Sequence, residues 1–345
     1  MAVTQILGLA GALLLLATLR PEGAAFVLLI LVWRRSSRHS LPVTEIAFAV
    51  GFVSLILWRW SYFGSVLPNT FHAKMTGGPG AYNDGLHYLL DFVRHGGGGV
   101  LVGLALVPLL QPRRSRVVWL LLTAISLQVL MVLAAGGDWM QYYRFMAPAL
   151  PLLAALLAAG LATIWKEISS SGADRKLAVP VLVIVLLAGY LGTYKYEREQ
   201  LRAVLPALEK GGSLAQSYGR VGVWLEENSP PEARVAVSDI GAIGYFSHRR
   251  ILDMFGLIDT HIARRPGRLH FKCDPQYLLD QNPDYIILVR GGDPTGQSDY
   301  LRIPDREMAA LPEFHDKYRP IREMPLPFNG ETVVIYQRHR TRIHG

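Results

Sequence analysis

The hydrophobic positions of this chain fall into two regimes. From residue 1 to about 195 they form long runs, and from 196 to 345 they break into short runs separated by turn residues. A helix needs about 20 apolar residues to cross roughly 30 Å of hydrocarbon. On that measure the first regime predicts seven spans, near 3–19, 22–33, 44–62, 99–111, 117–135, 148–165 and 178–194. The second and fourth are short and border polar or glycine-rich backbone, such as Gly96-Gly97-Gly98-Gly99. Non-helical backbone at membrane depth is tolerated only where protein or a cavity covers it, so these two spans predict a water-filled recess. The second regime predicts a helix over 213–228 and strands at Arg234–Ser238, Ile251–Phe255, Tyr285–Val289 and Thr332–Tyr336. Short strands alternating with helices argue an α/β layer domain.

Charge adds orientation. Residues 1–195 carry 15 Lys and Arg against 7 Asp and Glu, and residues 196–345 carry 20 of each. The net +8 therefore resides in short clusters beside apolar runs and not on a soluble face, which argues against nucleic acid as a partner. Basic clusters follow the second span (Arg34, Arg35, Arg38), the fourth (Arg113, Arg114, Arg116) and the sixth (Lys166, Arg175, Lys176). By the positive-inside rule these loops are cytoplasmic. The expected fold is an α-helical polytopic membrane domain of about seven spans (1–195) followed by an exoplasmic α/β domain (196–345), with the N-terminus cytoplasmic. The first run lacks a basic n-region and continues almost directly into a second run, so it reads as an anchor and not as a cleaved signal peptide. Cys273 is the only cysteine, which excludes an intrachain disulfide and a cysteine-based metal cluster.

This topology sends three polar clusters to one membrane face: Leu19-Arg20-Pro21-Glu22-Gly23, the segment Arg59 to Lys74 containing Leu67-Pro68-Asn69-Thr70-Phe71-His72-Ala73-Lys74, and Gly136-Gly137-Asp138-Trp139-Met140 with Tyr143-Arg144-Phe145. Together they suit a ligand with an anionic headgroup, hydroxyls and a lipid tail. Each also has a plainer reading. Arg20 and Glu22 form an interfacial ion pair, the aromatic residues form an interfacial belt, Lys74 and Arg144 snorkel to headgroups, and Asn69 is a turn residue. Residues 77–98 read as a helix on the outer interface, either a connector or a lid. Asp239-Ile240-Gly241-Ala242-Ile243-Gly244 has neither the GxGxxG pattern nor a Walker lysine, which argues against nucleotide binding. Asp239, Asp253 and Asp259 are candidates for acceptor contacts, with structural capping as the alternative.

The quoted motifs, together with Asp239–Tyr245 and Asp253–Leu257, resemble bacterial membrane glycosyltransferases of the C-type fold. The nearest resemblance is to the cell-wall arabinofuranosyltransferases that use a polyprenyl-phosphate sugar donor. That resemblance implies a plasma-membrane enzyme that transfers a sugar from a lipid phosphate to a glycan acceptor. In the family an acidic residue of a long first outer loop is catalytic and the Arg-Pro-Glu-Gly segment comes several spans later. Here Arg20-Pro21-Glu22-Gly23 is the first outer turn, so the chain resembles a member whose N-terminal spans lie on a missing segment or another subunit. For such a transfer the leaving phosphate needs cations or a divalent ion, and the acceptor hydroxyl needs a proton acceptor. Lys74, Arg144 and Arg20 are expected to hold the phosphate. Asn69, His72, Tyr143, Trp139 and Glu22 are expected to hold the sugar, and Asp138 to act as the catalytic carboxylate. A structural Asp138–Arg144 pair is the alternative for that last residue. The competing function is a non-catalytic subunit or sugar-lipid-binding protein, followed by a transporter.

Overall fold

The computed structural model describes residues 3–20, 22–37, 43–74, 79–95, 98–111, 115–138, 143–170, 175–267, 271–291, 300, 302–327 and 330–339. The chain divides into two units, Met1–Pro68 with Gly77–Gln200, and Asn69–Thr76 with Leu201–Gly345. The helices in chain order are α1 (Val3–Leu19), α2 (Gly23–Ser37), α3 (Val43–Phe63), α4 (Asn69–Lys74), α5 (Pro79–His95), α6 (Gly98–Leu106), α7 (Arg116–Ala135), α8 (Leu150–Ser170) and α9 (Arg175–Asn228). They continue with α10 (Ile240–Ser247), α11 (Thr260–Ala263), α12 (Pro275–Asp280), α13 (Ile303–Ala309) and α14 (Pro312–Lys317). The 54-residue α9 runs unbroken through the composition change near residue 195, because its register continues past Pro206 and Gly211-Gly212.

The first unit is helical. Four stretches among the described residues are long and apolar enough to cross a membrane: Val43–Phe63, Arg116–Ala135, Arg144–Ser170 and Lys176–Tyr196. Gly80–His95 and Gly99–Leu110 make a fifth if taken together as one broken span, bent by 93°. The expected first and second spans correspond to helices of 17 and 15 residues, short of the length needed. Pro108 turns the end of the expected fourth into a 3₁₀ segment, Val107–Leu110, that follows the nine-residue α6. Local signals bound α7 clearly. The Ser115 hydroxyl accepts the Val118 N–H at its start, and Gly136 closes its end at φ +79°.

Small residues set the helix packing in this unit. A Cβ at Gly160 of α8 would lie 2.0 Å from the Leu104 carbonyl oxygen of α6. Ala81 and Gly85, four apart on α5, let that helix approach α7, where a Cβ at residue 85 would lie 2.8 Å from Leu133 Cα. α5, expected on the outer interface, therefore packs on α7.

The second unit holds a mixed sheet in the order β2-β1-β3-β5-β4, built from β1 (Arg234–Val237), β2 (Arg250–Asp253), β3 (Tyr285–Arg290), β4 (Tyr318–Pro325) and β5 (Thr332–Arg338). β1 runs parallel to β2 and β3, and β5 is antiparallel to β3 and β4. The expected strands match β1, β2, β3 and β5, but β4 was not anticipated. Its sequence Tyr-Arg-Pro-Ile-Arg-Glu-Met-Pro suits only a sheet edge, where prolines and charges are tolerated, and it carries a bulge between Pro320 and Arg322. Val235, Val237, Ile287, Val289, Val333 and Ile335 pack one face against Val221 and Leu225 of α9. Ala236, Leu252, Ile286, Leu288 and Val334 pack the other against Ile262, Leu278, Met308 and Phe314. Burial on both faces explains the unbroken apolar run of β3.

A buried polar knot joins the carboxyl ends of β1 and β3. The Asp305 carboxylate accepts the Ser238 hydroxyl at 2.7 Å and the Val289 N–H at 2.9 Å. Arg302 pairs with Asp239 and donates to the Tyr218 hydroxyl at 2.6 Å. Asp239, a candidate acceptor contact, is thus engaged by Arg302.

Two predictions follow from these contacts. Gly160→Ala forces α6 and α8 apart and costs about 1–3 kcal/mol, whereas Gly11→Ala on α1, where a Cβ meets nothing within 4 Å, leaves the melting temperature of the detergent-purified protein unchanged or slightly raised. Burial pushes the Asp305 carboxyl up from 3.8 to about 6. Its folded state therefore binds a proton more tightly than the unfolded chain, and this group's share of stability is full below pH 3.8 and lost as pH rises through about 6. Asp305→Asn, whose amide can still serve Ser238 and Val289, should flatten that part of a pH–stability profile read by near-ultraviolet circular dichroism. Asp305→Ala leaves the Val289 N–H unpaired and should destabilise at every pH.

Candidate functional site

The turn between α1 and α2 is tight. The Gly23 N–H bonds the Arg20 carbonyl at 2.9 Å, and a Cβ at residue 23 would lie 1.9 Å from the Leu16 carbonyl oxygen. This turn holds an Arg20–Glu22 ion pair. At the end of α7, Gly136 and Gly137 at φ +79° and +77° turn the chain so that Asp138 meets Arg144 through both carboxylate oxygens, with Arg144 Nη2 to Oδ1 at 3.1 Å. Arg20 Nη1 donates to the Arg144 carbonyl at 3.4 Å, and both guanidinium groups lie 5.8 Å from the Phe145 ring centre. The Phe145 backbone is held on both sides. Its carbonyl accepts from buried Gln128 at 2.6 Å, and its N–H donates to the Tyr88 hydroxyl at 3.2 Å.

The two ion pairs balance formally, but their exposure is unequal. Glu22 and Asp138 are 6% and 2% exposed, whereas Arg20 and Arg144 are 36% and 40% exposed. The carboxylates face inward and the guanidinium groups outward, so a neutral cluster presents a cationic surface. The Arg144 guanidinium engages both oxygens of the buried Asp138 carboxylate. That geometry favours an orienting role for Asp138 toward Arg144.

An aromatic wall stands beside this cluster. Tyr143 sits in the left-handed region at φ +46°, costly for a residue with a side chain and common where function constrains the backbone. Its hydroxyl and His95 Nδ1 lie 2.9 Å apart, and its ring meets Tyr88 and Phe92 edge-on at 5.3 and 5.7 Å. Tyr196 of α9 stacks on His95 at 4.4 Å. Phe92 continues into an apolar groove of about 140 Å³ lined also by Leu101, Val102, Ala105, Leu153 and Leu157.

Of the residues expected in the site, the structure brings Arg20, Glu22, Asp138, Tyr143 and Arg144 together. Trp139 lies outside the described residues. Asn69, His72 and Lys74 belong to the second unit, where α4 is bound into the sheet domain. Asn69 Nδ2 donates to the carbonyls of Gly256, Leu257 and Asp259 at 3.1, 3.0 and 3.2 Å. The buried Lys272 ammonium donates to the carbonyls of His72 and Ala263 at 2.8 and 3.0 Å, and desolvation lowers its pKa. Asp253 folds the same loop by accepting the Phe255 and Ile258 N–H groups, while burial raises its carboxyl. Asp259 caps α11. The segments 69–74 and 253–259 therefore meet within the second unit, where Asn69, Asp253, Asp259 and Lys272 satisfy backbone carbonyls and N–H groups. Lys74 itself is exposed.

Tyr88, Phe92, His95, Gln128 and Tyr196 were not anticipated. Residues 88, 92 and 95 share one face of α5 at i, i+4 and i+7, and that spacing was the available signal. No three His, Cys, Asp or Glu side chains group as a metal site among the described residues.

If the Asp138–Arg144 contact orients the loop, a double-mutant cycle of Asp138→Asn and Arg144→Gln should give a coupling energy of about 1–3 kcal/mol in thermal unfolding. Arg144→Lys should recover little of it, since one ammonium cannot span both oxygens. Additive effects would remove the pair from the account.

Residues 206–336, which include the sheet and the last turns of α9, match a family model described as Domain of unknown function (DUF8728). The chain matches no curated protein and no solved structure.

Proposed function

We propose that this protein transfers a sugar from a polyprenyl-phosphate donor to a cell-envelope glycan at the outer face of a bacterial plasma membrane. In this reading α1, α2 and the broken α5–α6 pair join the four long apolar stretches in the bilayer, the basic loops lie in the cytoplasm, and the sheet domain lies outside. The observation that carries the reading is the pair of outward-facing guanidinium groups beside the Phe145 ring, backed by buried carboxylates and flanked by aromatic rings and an apolar groove. Such a surface suits, in order, a phosphate, a sugar ring and the first part of a prenyl tail. Arg20 and Arg144 would hold the phosphate in the ground state and meet the charge that grows on it as the glycosidic bond breaks. Glu22 and Asp138 would keep both cations oriented at that depth. Engagement of both carboxylates by arginines also fits the second reading, a protein that binds the sugar lipid without catalysing transfer.

The test uses the full chain in nanodiscs with farnesyl phosphate as the probe. Arg20→Gln and Arg144→Gln should each weaken binding about ten- to a hundredfold, the usual range for losing one charge-assisted contact, while Lys166→Gln leaves it unchanged. Equal affinity in all three would overturn the phosphate assignment. Orientation is read separately. In a Cys273→Ser background, Asp316→Cys should react with an impermeant maleimide in intact cells, and labelling only after permeabilisation would place the sheet domain inside.

A further inference from the structure

The transfer proposed above leaves one proton without a destination. As the acceptor oxygen bonds to the anomeric carbon, the bond from that carbon to the phosphate oxygen breaks. The phosphate leaves with the electron pair, and the acceptor's hydroxyl proton must pass to a base. Glu22 and Asp138 are both buried and bound to arginines. Residues 139–142, Trp-Met-Gln-Tyr, bring neither a carboxylate nor an imidazole.

We propose that His95 is the proton acceptor of this reaction and that Tyr143 and Tyr196 position it. The inference rests on the glycosyl-transfer reading. His95 is half-buried at the end of α5, with Nδ1 2.9 Å from the Tyr143 hydroxyl and its ring face stacked on Tyr196 at 4.4 Å and 18°. Among the described residues Nε2 has no partner. With Nδ1–H donating to the Tyr143 oxygen, the neutral ring carries its lone pair on Nε2, the arrangement a general base needs. The Tyr143 and Tyr196 rings lie 6.3 Å apart, so both border the same imidazole. Tyr143 immediately precedes Arg144, so the backbone that orients the imidazole also sets the phosphate-facing guanidinium. Its φ of +46° is the local strain of holding both side chains at once. The product of the step is a His95 imidazolium, which returns its proton to water after the glycan leaves.

Other charged and polar groups surround His95. Asp91 and Arg94 share α5 and pair with each other at 3.5 Å. Tyr143 and Tyr88 face from the loop and from α5, and Tyr196 from α9. α6 carries no titratable residue, and α7 carries only Arg116, at its opposite end.

The experiment measures single-turnover transfer from a synthetic polyprenyl-phosphoryl sugar by the full chain in nanodiscs, with farnesyl phosphate affinity measured on the same samples. His95→Gln should lose about a hundred- to a thousandfold in rate with affinity within threefold of wild type. Tyr143→Phe keeps the ring, removes the Nδ1 acceptor, and should lose about tenfold. Asp138→Asn should lower farnesyl phosphate affinity more than rate. Wild-type rates in His95→Gln would overturn the assignment while leaving the transfer reading intact. So would a loss of affinity in proportion to rate, which would make His95 structural. A wild-type chain that binds farnesyl phosphate but transfers no sugar would instead overturn the enzyme reading, and the base with it.

Discussion

A guanidinium among apolar helices is costly unless an anion lies beside it, and the architecture of the helical unit follows from meeting that requirement twice. Glu22 answers Arg20 inside a turn so tight that residue 23 has to be glycine. Asp138 answers Arg144 because two successive glycines in the left-handed region redirect the chain at the end of α7. Once the carboxylates take the buried positions, the arginines are left facing outward beside Phe145, whose backbone Gln128 and Tyr88 hold. The cationic character of the site comes from the arrangement of charges and not from their sum.

The sheet domain meets a different constraint in a comparable way. Backbone carbonyls in the 256–259 loop and at the end of α4 have no ladder partners. Asn69 and Lys272, each contributed by the opposite segment, provide the donors. Polar residues that stand out in the sequence because they are clustered are here occupied with the backbone of their own domain. At the carboxyl ends of the neighbouring parallel strands, Asp305 closes Val289 and Ser238 in the same manner.

These two cases mark how far the sequence could be read. The boundaries of α7, set by Ser115 and Gly136, and four of the five strands were legible from periodicity and capping, which are local signals. β4 was not, because its prolines and charges acquire meaning only at a sheet edge. Within the site, Arg20, Glu22, Asp138, Tyr143 and Arg144 were legible as short polar islands between apolar runs. Asn69 looked the same in one dimension but donates to backbone carbonyls in the second unit, and nothing local distinguishes such a donor from a ligand contact. His95 and Tyr196 were missed for the converse reason. They are separated by about a hundred residues and meet only when α5, the Tyr143 loop and α9 come together.

The docking of α4 also bears on how the molecule can be made and altered. The sheet domain is discontinuous in sequence, and the Asn69 amide is synthesised 187 residues before the first carbonyl it serves. During translation the eight-residue piece Asn69–Thr76 emerges long before the loop that receives it, so the domain cannot close until the 253–272 region has been made. An exchange of this domain between related chains would succeed only if both pieces travelled together. A recombination point placed at the obvious composition break near residue 200 would separate a plug from its socket.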